Sequence, residues 1–219
     1  MWRIALVTQK GGSGKSTLAA CLAVAAKQAG ERVFLIDLDP LQSLGVWAKA
    51  RQSLDIPVVS TPLGKLESVL HELEARGVTV AILDTPGGDN PAAEAAIDVA
   101  AFCIVPARPN AFDLAASKKT VKKLKRAKSD YAFVLNQCPP SQQSARIDQG
   151  VERLELLGAL ISPMITARVD YQEATSRGLG VTEVNPLGVA ATEMRLLWNS
   201  LQGRLIKGAA RGKKNASAA

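Results

Sequence analysis

Eight consecutive residues, Lys10, Gly11, Gly12, Ser13, Gly14, Lys15, Ser16 and Thr17, have the make-up of a loop that holds phosphate. Closely spaced glycines let successive backbone N–H groups turn inward around phosphate oxygens, and a helix starting at the loop's end adds its partial positive charge. In that reading Lys15 reaches the β and γ phosphates of ATP, and the Ser16 hydroxyl ligates magnesium. Two acidic strand ends complete the constellation: Asp37 and Asp39 in Ile36-Asp37-Leu38-Asp39-Pro40, and Asp84 in Leu83-Asp84-Thr85-Pro86-Gly87-Gly88. All three carboxylates then lie at strand C-termini, where open α/β sheets take ligands. Asp84 has the position of an acid that supports magnesium, directly or through water. Capping a helix or turn is the structural alternative for each acid.

These groups need a scaffold with a regular rhythm. Apolar, β-branched runs at 4–7, 33–36, 58–59, 78–83, 102–105 and 132–135 read as short strands buried on both faces. Helical patterns alternate with them: one over 15–29 ends at Gly30, and one over 63–76 ends at Gly77. The alternation predicts a single doubly wound α/β domain over 1–207, a mostly parallel sheet with helices on both faces. A last amphipathic helix is expected over 187–206, and a basic, disordered tail over 208–219.

Apolar residues make up 47% of the 219 and charged residues 21%, while aromatics are only 4%, so one aliphatic core is expected. Cys21, Cys103 and Cys138 are far apart and odd in number. That excludes a disulfide framework and a C-x-x-C metal site and fits a reducing cytoplasm. Cys21 and Cys103 read as buried thiols. The apolar run at 4–7 is too short for a signal peptide, and the longest uncharged apolar stretch, 18–26, falls below the roughly 18 residues of a membrane span. A soluble, cytoplasmic protein is expected.

The net charge of +7 has a definite address. Lys118, Lys119, Lys122, Lys123, Lys125, Arg126 and Lys128 fall within twelve residues that contain no acid, leaving the remainder balanced at 20 basic and 20 acidic residues. Within a helix over 112–128, Leu114, Val121 and Leu124 form one packing stripe opposite the lysines. Six more basic residues, Arg204 and Lys207 among them, follow Glu193 without an acid. Such density can neutralise several phosphates without reading bases, which makes a polyanionic partner the expectation. A solvated face with no partner is the alternative.

Lys10 is not required by an ordinary phosphate loop. KGGSGKST, DLDP and DTPG, in this order and spacing, resemble the deviant Walker A ATPases, the group of the ParA partition ATPases, the MinD division-site regulators and the nitrogenase iron proteins. The resemblance covers nearly the whole chain. It implies magnesium-dependent ATP hydrolysis, slow unless stimulated, and a nucleotide-sandwiched homodimer in which Lys10 crosses to the partner's phosphates like an arginine finger in trans. It further implies that Asp39 positions the attacking water, that Asp37 sits near the magnesium and that residues 85–89 sense the γ-phosphate. Asn136, at the end of a strand, matches where relatives read adenine, although an Asn there is also an ordinary turn residue. One departure stands out: relatives usually carry Gln directly after the proline of DxDP, whereas here Leu41 precedes Gln42.

Among these relatives the iron protein needs a loop cysteine on each side of the Walker B strand. Cys103 and Cys138 both follow Asp84, which rejects it. The resemblance favoured is to the small ParA type without an N-terminal helix-turn-helix. That implies an ATP-bound dimer on nucleoid DNA, released when a centromere-binding or cargo-adaptor protein stimulates hydrolysis. Two alternatives stay open. One is a MinD-like ATPase bound to membranes through 194–207, where Leu197, Trp198, Leu201, Leu205 and Ile206 share a face. The other is a metabolic P-loop ligase or synthetase.

Overall fold

A computed structural model describes residues 1–140 and 145–216. Six strands, β1 (Trp2–Leu6), β2 (Val33–Asp37), β3 (Val58–Ser60), β4 (Val80–Asp84), β5 (Phe102–Ala107) and β6 (Tyr131–Leu135), form one all-parallel sheet in the order β3-β2-β4-β1-β5-β6. All six expected strands are present, with ends shifted by at most two residues. The helices are α1 (Lys15–Gln28), α2 (Ser43–Arg51), α3 (Leu66–Ala75), α4 (Pro91–Val99), α5 (Ala111–Arg126), α6 (Ala145–Glu155), α7 (Val169–Ser176), α8 (Val181–Val184) and α9 (Val189–Ala216). The helix expected over 63–76 begins as a 3-10 turn at Leu63–Lys65 before α3. Gly30 and Gly77 stop their helices at φ +94° and +77°, in the left-handed region that favours glycine.

The strands are mostly apolar because their residues alternate between two cores. Ile4 and Leu6 pack toward α1, α2, α7, α8 and α9, whereas Ala5 and Val7 pack toward α3, α4, α5 and α6. The same alternation runs through β2, β4, β5 and β6. α1 is buried on every side from Leu18 to Ala26, which accounts for that uncharged stretch. A helix apolar all round belongs inside a protein, and its five alanines let the surrounding layers approach closely. All three cysteine thiols are buried, Cys138 included, and burial pushes each up to about 12.

α9 outruns its expected end. Nothing between 207 and 216 breaks it: the segment is rich in Ala, Lys and Arg, good helix formers, and its two glycines, at 208 and 212, cost only about 1 kcal/mol each. Residues 208–216 of the expected tail are therefore helical, while 217–219 lie outside the described residues. Its apolar stripe, Leu197, Trp198, Leu201 and Leu205, is buried in the core around α1, and Ile206 is exposed. No described helix is long and apolar enough to cross a membrane.

α2, which must carry the segment after Asp39, is fastened by one buried cation. The Arg51 side chain, 3% exposed, donates through Nε to Asp55 at 2.6 Å, through Nη2 to Glu183 at 2.8 Å and through Nη1 to the Gly178 carbonyl at 2.9 Å. It also lies 5.1 Å over the Trp47 ring, whose Nε1 donates to the Leu179 carbonyl at 3.2 Å. Arg51 holds the Asp55 carboxyl well below the usual range. Replacing Arg51 by Ala leaves Glu183 without its cation and Asp55 with Lys27 alone. Because both are about one-quarter exposed, the cost is discounted from the fully buried case to about 2 kcal/mol, read as a lower urea midpoint at unchanged m-value. Arg51→Lys should recover only part of it, since one ammonium cannot reproduce the fork.

Candidate active site

The sheet register brings the predicted residues to one edge. Leu6 pairs with Asp84, and Asp84 with Asp37, so the phosphate loop and two acids leave three adjacent strands side by side. Gly12 and Gly14 have φ of +73° and +87°, and a Cβ at Gly14 would overlap the Asn136 amide. Among the described residues, none of Gly11 to Gly14 gives its N–H to a protein acceptor. The loop is held instead by its carbonyls and its flank. Asn136 Nδ2 donates to the Ser13 carbonyl at 2.7 Å, Gln137 Nε2 to the Gly12 carbonyl at 3.1 Å, and the Gln9 N–H donates to Thr120 Oγ1 at 3.2 Å.

The three acids differ sharply in their surroundings. Asp84 is fully buried, and neither of its oxygens has a hydrogen-bond partner among the described residues. Burial pushes its carboxyl up to about 7; Ser16 and Lys15 lie close enough to oppose the shift without satisfying either oxygen. Lys15 is nearly buried too, which lowers its pKa, and Asp84 and then Asp39 act against that. Asp37 is occupied: Oδ1 accepts the Asp39 N–H at 3.1 Å, and Oδ2 accepts those of Leu44 and Gly45 at 2.9 and 3.2 Å. It caps the start of α2, the alternative expected from its sequence position, and burial raises its pKa despite those bonds. Asp39 faces the cavity while its Oδ1 accepts the Leu41 N–H at 2.9 Å. Gln42, at φ +51°, turns the chain into α2, and the extra Leu41 stands exposed on the cavity rim.

A cavity of about 570 Å³ is lined by Gly11, Gly12, Gly14, Lys15, Ser16, Thr17, Asp39, Trp47 and Gly87. A second, of about 410 Å³, shares Gly14, Thr17 and Gln172 with it and adds Asn136, Gln137 and Arg168. Adjoining spaces of this kind suit a polyphosphate and its base. Asn136 has committed its amide nitrogen to the loop, which leaves Oδ1 to accept from a base amino group. No cluster of three or more His, Cys, Asp or Glu occurs among the described residues. A cation here would draw on Ser16, Asp84 and phosphate oxygens, a donor set that fits magnesium, and the orphaned Asp84 oxygens call for such a charge.

Lys10 is half-buried, lies outside the lining of its own cavity and makes no ion pair among the described residues. Lys118, Lys119, Lys122, Lys125 and Arg126 are exposed on α5 and likewise unpaired among those residues. Lys123 departs from the expected cationic face: it is ion-paired with Asp89 and, at 2.6 Å, with Glu94. The segment has no acids of its own, but the approach to α4 supplies them. Arg204 donates to the Leu160 carbonyl at 3.3 Å and, with Lys207, lines a groove at the opposite edge of the sheet beside Asp130 and Tyr131. Sequence reasoning missed Arg108, whose Nε and Nη2 both lie 3.0 Å from Asp113 and whose Nη1 hangs over Gly12. Its place just after β5, at the edge that carries Asp84 and Asn136, was the available signal.

Residues 4–181 match a family model described as the CobQ/CobB/MinD/ParA nucleotide binding domain. Over 122 residues the chain is 37% identical to the maintenance of carboxysome distribution protein A of Gloeobacter kilaueensis, covering 54% of each chain. Over 114 residues it is 32% identical to Protein ParA of Rhizobium radiobacter, covering 50% of each. The chain thus spans about half the length of these curated relatives. Its fold matches a chain of the MinC:MinD cell division protein complex of Aquifex aeolicus with a TM-score of 0.79 at 17% identity, over 93% of this chain and 96% of the other.

The Asp84 environment predicts a pH signature in metal-free buffer. An acid whose native pKa is raised to about 7 stays protonated in the folded state while the unfolded state ionises near 4, so stability falls between those values and then levels off. Asp84→Asn should therefore melt higher than the wild-type chain at pH 8, by about 2–4 kcal/mol of stability, and equal it near pH 4. Equal melting at both pH values would contradict the burial argument.

Proposed function

The chain belongs to the CobQ/CobB/MinD/ParA nucleotide-binding family, and on that premise we propose that it is a segregation or positioning ATPase whose ATP-bound homodimer holds non-specific double-stranded DNA. One observation carries the reading. The molecule that presents the phosphate loop with its additional lysine also turns five cations, unpaired among the described residues, to solvent along a single helix, α5.

The residues divide the work as follows. The free N–H groups of Gly11 to Gly14 and the Lys15 ammonium take the β and γ phosphates. Ser16 and Asp84 would hold magnesium, which when bound would neutralise phosphate charge. Asp39 orients the attacking water, and Asp37 fixes Asp39 by accepting its N–H while anchoring α2. Lys10, outside its own cavity, reaches the partner subunit's phosphates, so that hydrolysis requires two copies. A cargo-bound adaptor stimulates hydrolysis, and the dimer on the nucleoid then returns to the cytoplasm as weakly binding subunits.

The membrane alternative is weaker because the apolar stripe it needs is already buried. The ligase alternative is weaker because Lys15, which the phosphates would occupy, is the only cation lining the larger cavity among the described residues.

Retention on non-specific duplex DNA, measured with ATP, with ADP and without nucleotide across a salt series, tests the reading. Binding should require ATP and weaken steeply with salt, and the triple change Lys118→Ala, Lys119→Ala, Lys122→Ala should lower the logarithmic salt slope by about 3 per protomer. No retention in any nucleotide state sinks the DNA role, and ATP-dependent capture by anionic vesicles would replace it with the membrane one. Lys10→Ala should keep ATP binding yet lose ATP-dependent dimers in light scattering; an intact dimer would remove its role in trans.

A further inference from the structure

We propose that Lys123 is a positioning residue of the nucleotide site and not part of the DNA-facing surface: it holds the 85–89 segment through Asp89 and the first turn of α4 through Glu94, and so couples α5 to the phosphate loop. The effect on DNA rests on the function proposed above; the positioning role does not.

α5 starts at Asn110, whose side chain accepts the Asp113 N–H at 3.0 Å, and it buries Leu114, Ser117, Thr120, Val121 and Leu124. Thr120 and Lys123 are three residues apart, so they lie one turn apart along the same border of that buried stripe. Thr120, 3% exposed, holds the Gln9 N–H just before Lys10. Lys123 reaches the neighbouring helix of the same layer and grips the lead-in and first turn of α4. One helix thus holds both walls of the phosphate site.

The second wall leads back to the ligand. Gly87 lines the larger cavity, and a Cβ there would stand 3.0 Å from Gly11 Cα and 3.1 Å from Gly11 N. Asn90 is fixed at the other end, capping α4 by accepting the Ala92 N–H at 2.8 Å. Between them lie only Gly88, at φ +94°, and Asp89. A terminal phosphate arriving beside Gly11 meets Gly87, and any shift passes through the glycine pivot to the carboxylate held by Lys123. Both Asp89 and Glu94 are well exposed, so the pair adds little to stability and losing it should leave the melting temperature nearly unchanged.

The test uses the full chain with magnesium and no DNA, and measures affinities for fluorescent ATP and ADP analogues. Lys123→Met and Asp89→Asn should each narrow the ATP-to-ADP preference by about fivefold. Lys123→Arg should retain the preference, and the charge exchange Lys123→Glu with Asp89→Lys should recover most of it. A second arm follows the salt slope of DNA retention, which Lys122→Met should reduce by about 1 and Lys123→Met should leave alone. An unchanged nucleotide preference in both single variants overturns the proposal, as does a wild-type chain that does not distinguish ATP from ADP. A wild-type chain that distinguishes the nucleotides but never binds DNA refutes the partition reading alone, and the affinity ratios still decide the role of Lys123.

Discussion

A loop that is to receive phosphate must keep its N–H groups free, and that requirement shapes everything around Gly11 to Gly14. A protein loop normally stabilises itself by pairing those groups internally. Here they stay open, and the loop is steadied from behind, through the carbonyls of Gly12 and Ser13 and through Gln9. The supports come from β6 and α5, elements far away in sequence, so the loop keeps its shape only when the complete sheet is in place. Asp84 repeats the theme on the acidic side. Its two unpartnered oxygens are costly in the empty protein, and a bound cation is what would relieve them.

What was legible in the sequence is what local spacing encodes. Strands buried on both faces read as short apolar runs, glycine stops read as such, and the loop with its following helix is contiguous in the chain. The missed features all join distant segments. Arg51 clasps Glu183 across more than a hundred residues, and Arg108 lies over Gly12 from the end of β5. Lys123 looked like one of seven equivalent cations because its acids lie on α4 and just before it, which no helical periodicity within α5 can report. Asp37 was legible as an acid at a strand end. That its oxygens are engaged depends on where α2 begins, three residues beyond the proline that ends DLDP.

The charges are arranged along the sheet as well as across it. α5 leaves the nucleotide edge beside Gly12 and delivers its basic C-terminal turn toward the other edge, where Arg204 and Lys207 line a groove with Asp130. It lies against one face of the sheet and α9 against the other, so two layers contribute cations to the same end of the molecule. A helix in this position touches the phosphate site with its buried border and solvent with its lysines.

α1 has a further meaning for how the molecule opens. From Leu18 to Ala26 it shows no surface to water and is packed against the sheet, α7, α8 and α9. Its amide protons should exchange only when those layers separate together, which puts it with the equally buried central strands among the slow-exchanging parts of the chain. The phosphate loop is joined directly to that helix. A ligand held by the loop would therefore sit at the end of one of the most deeply buried elements, against the more exposed walls of α2 and the 85–89 segment.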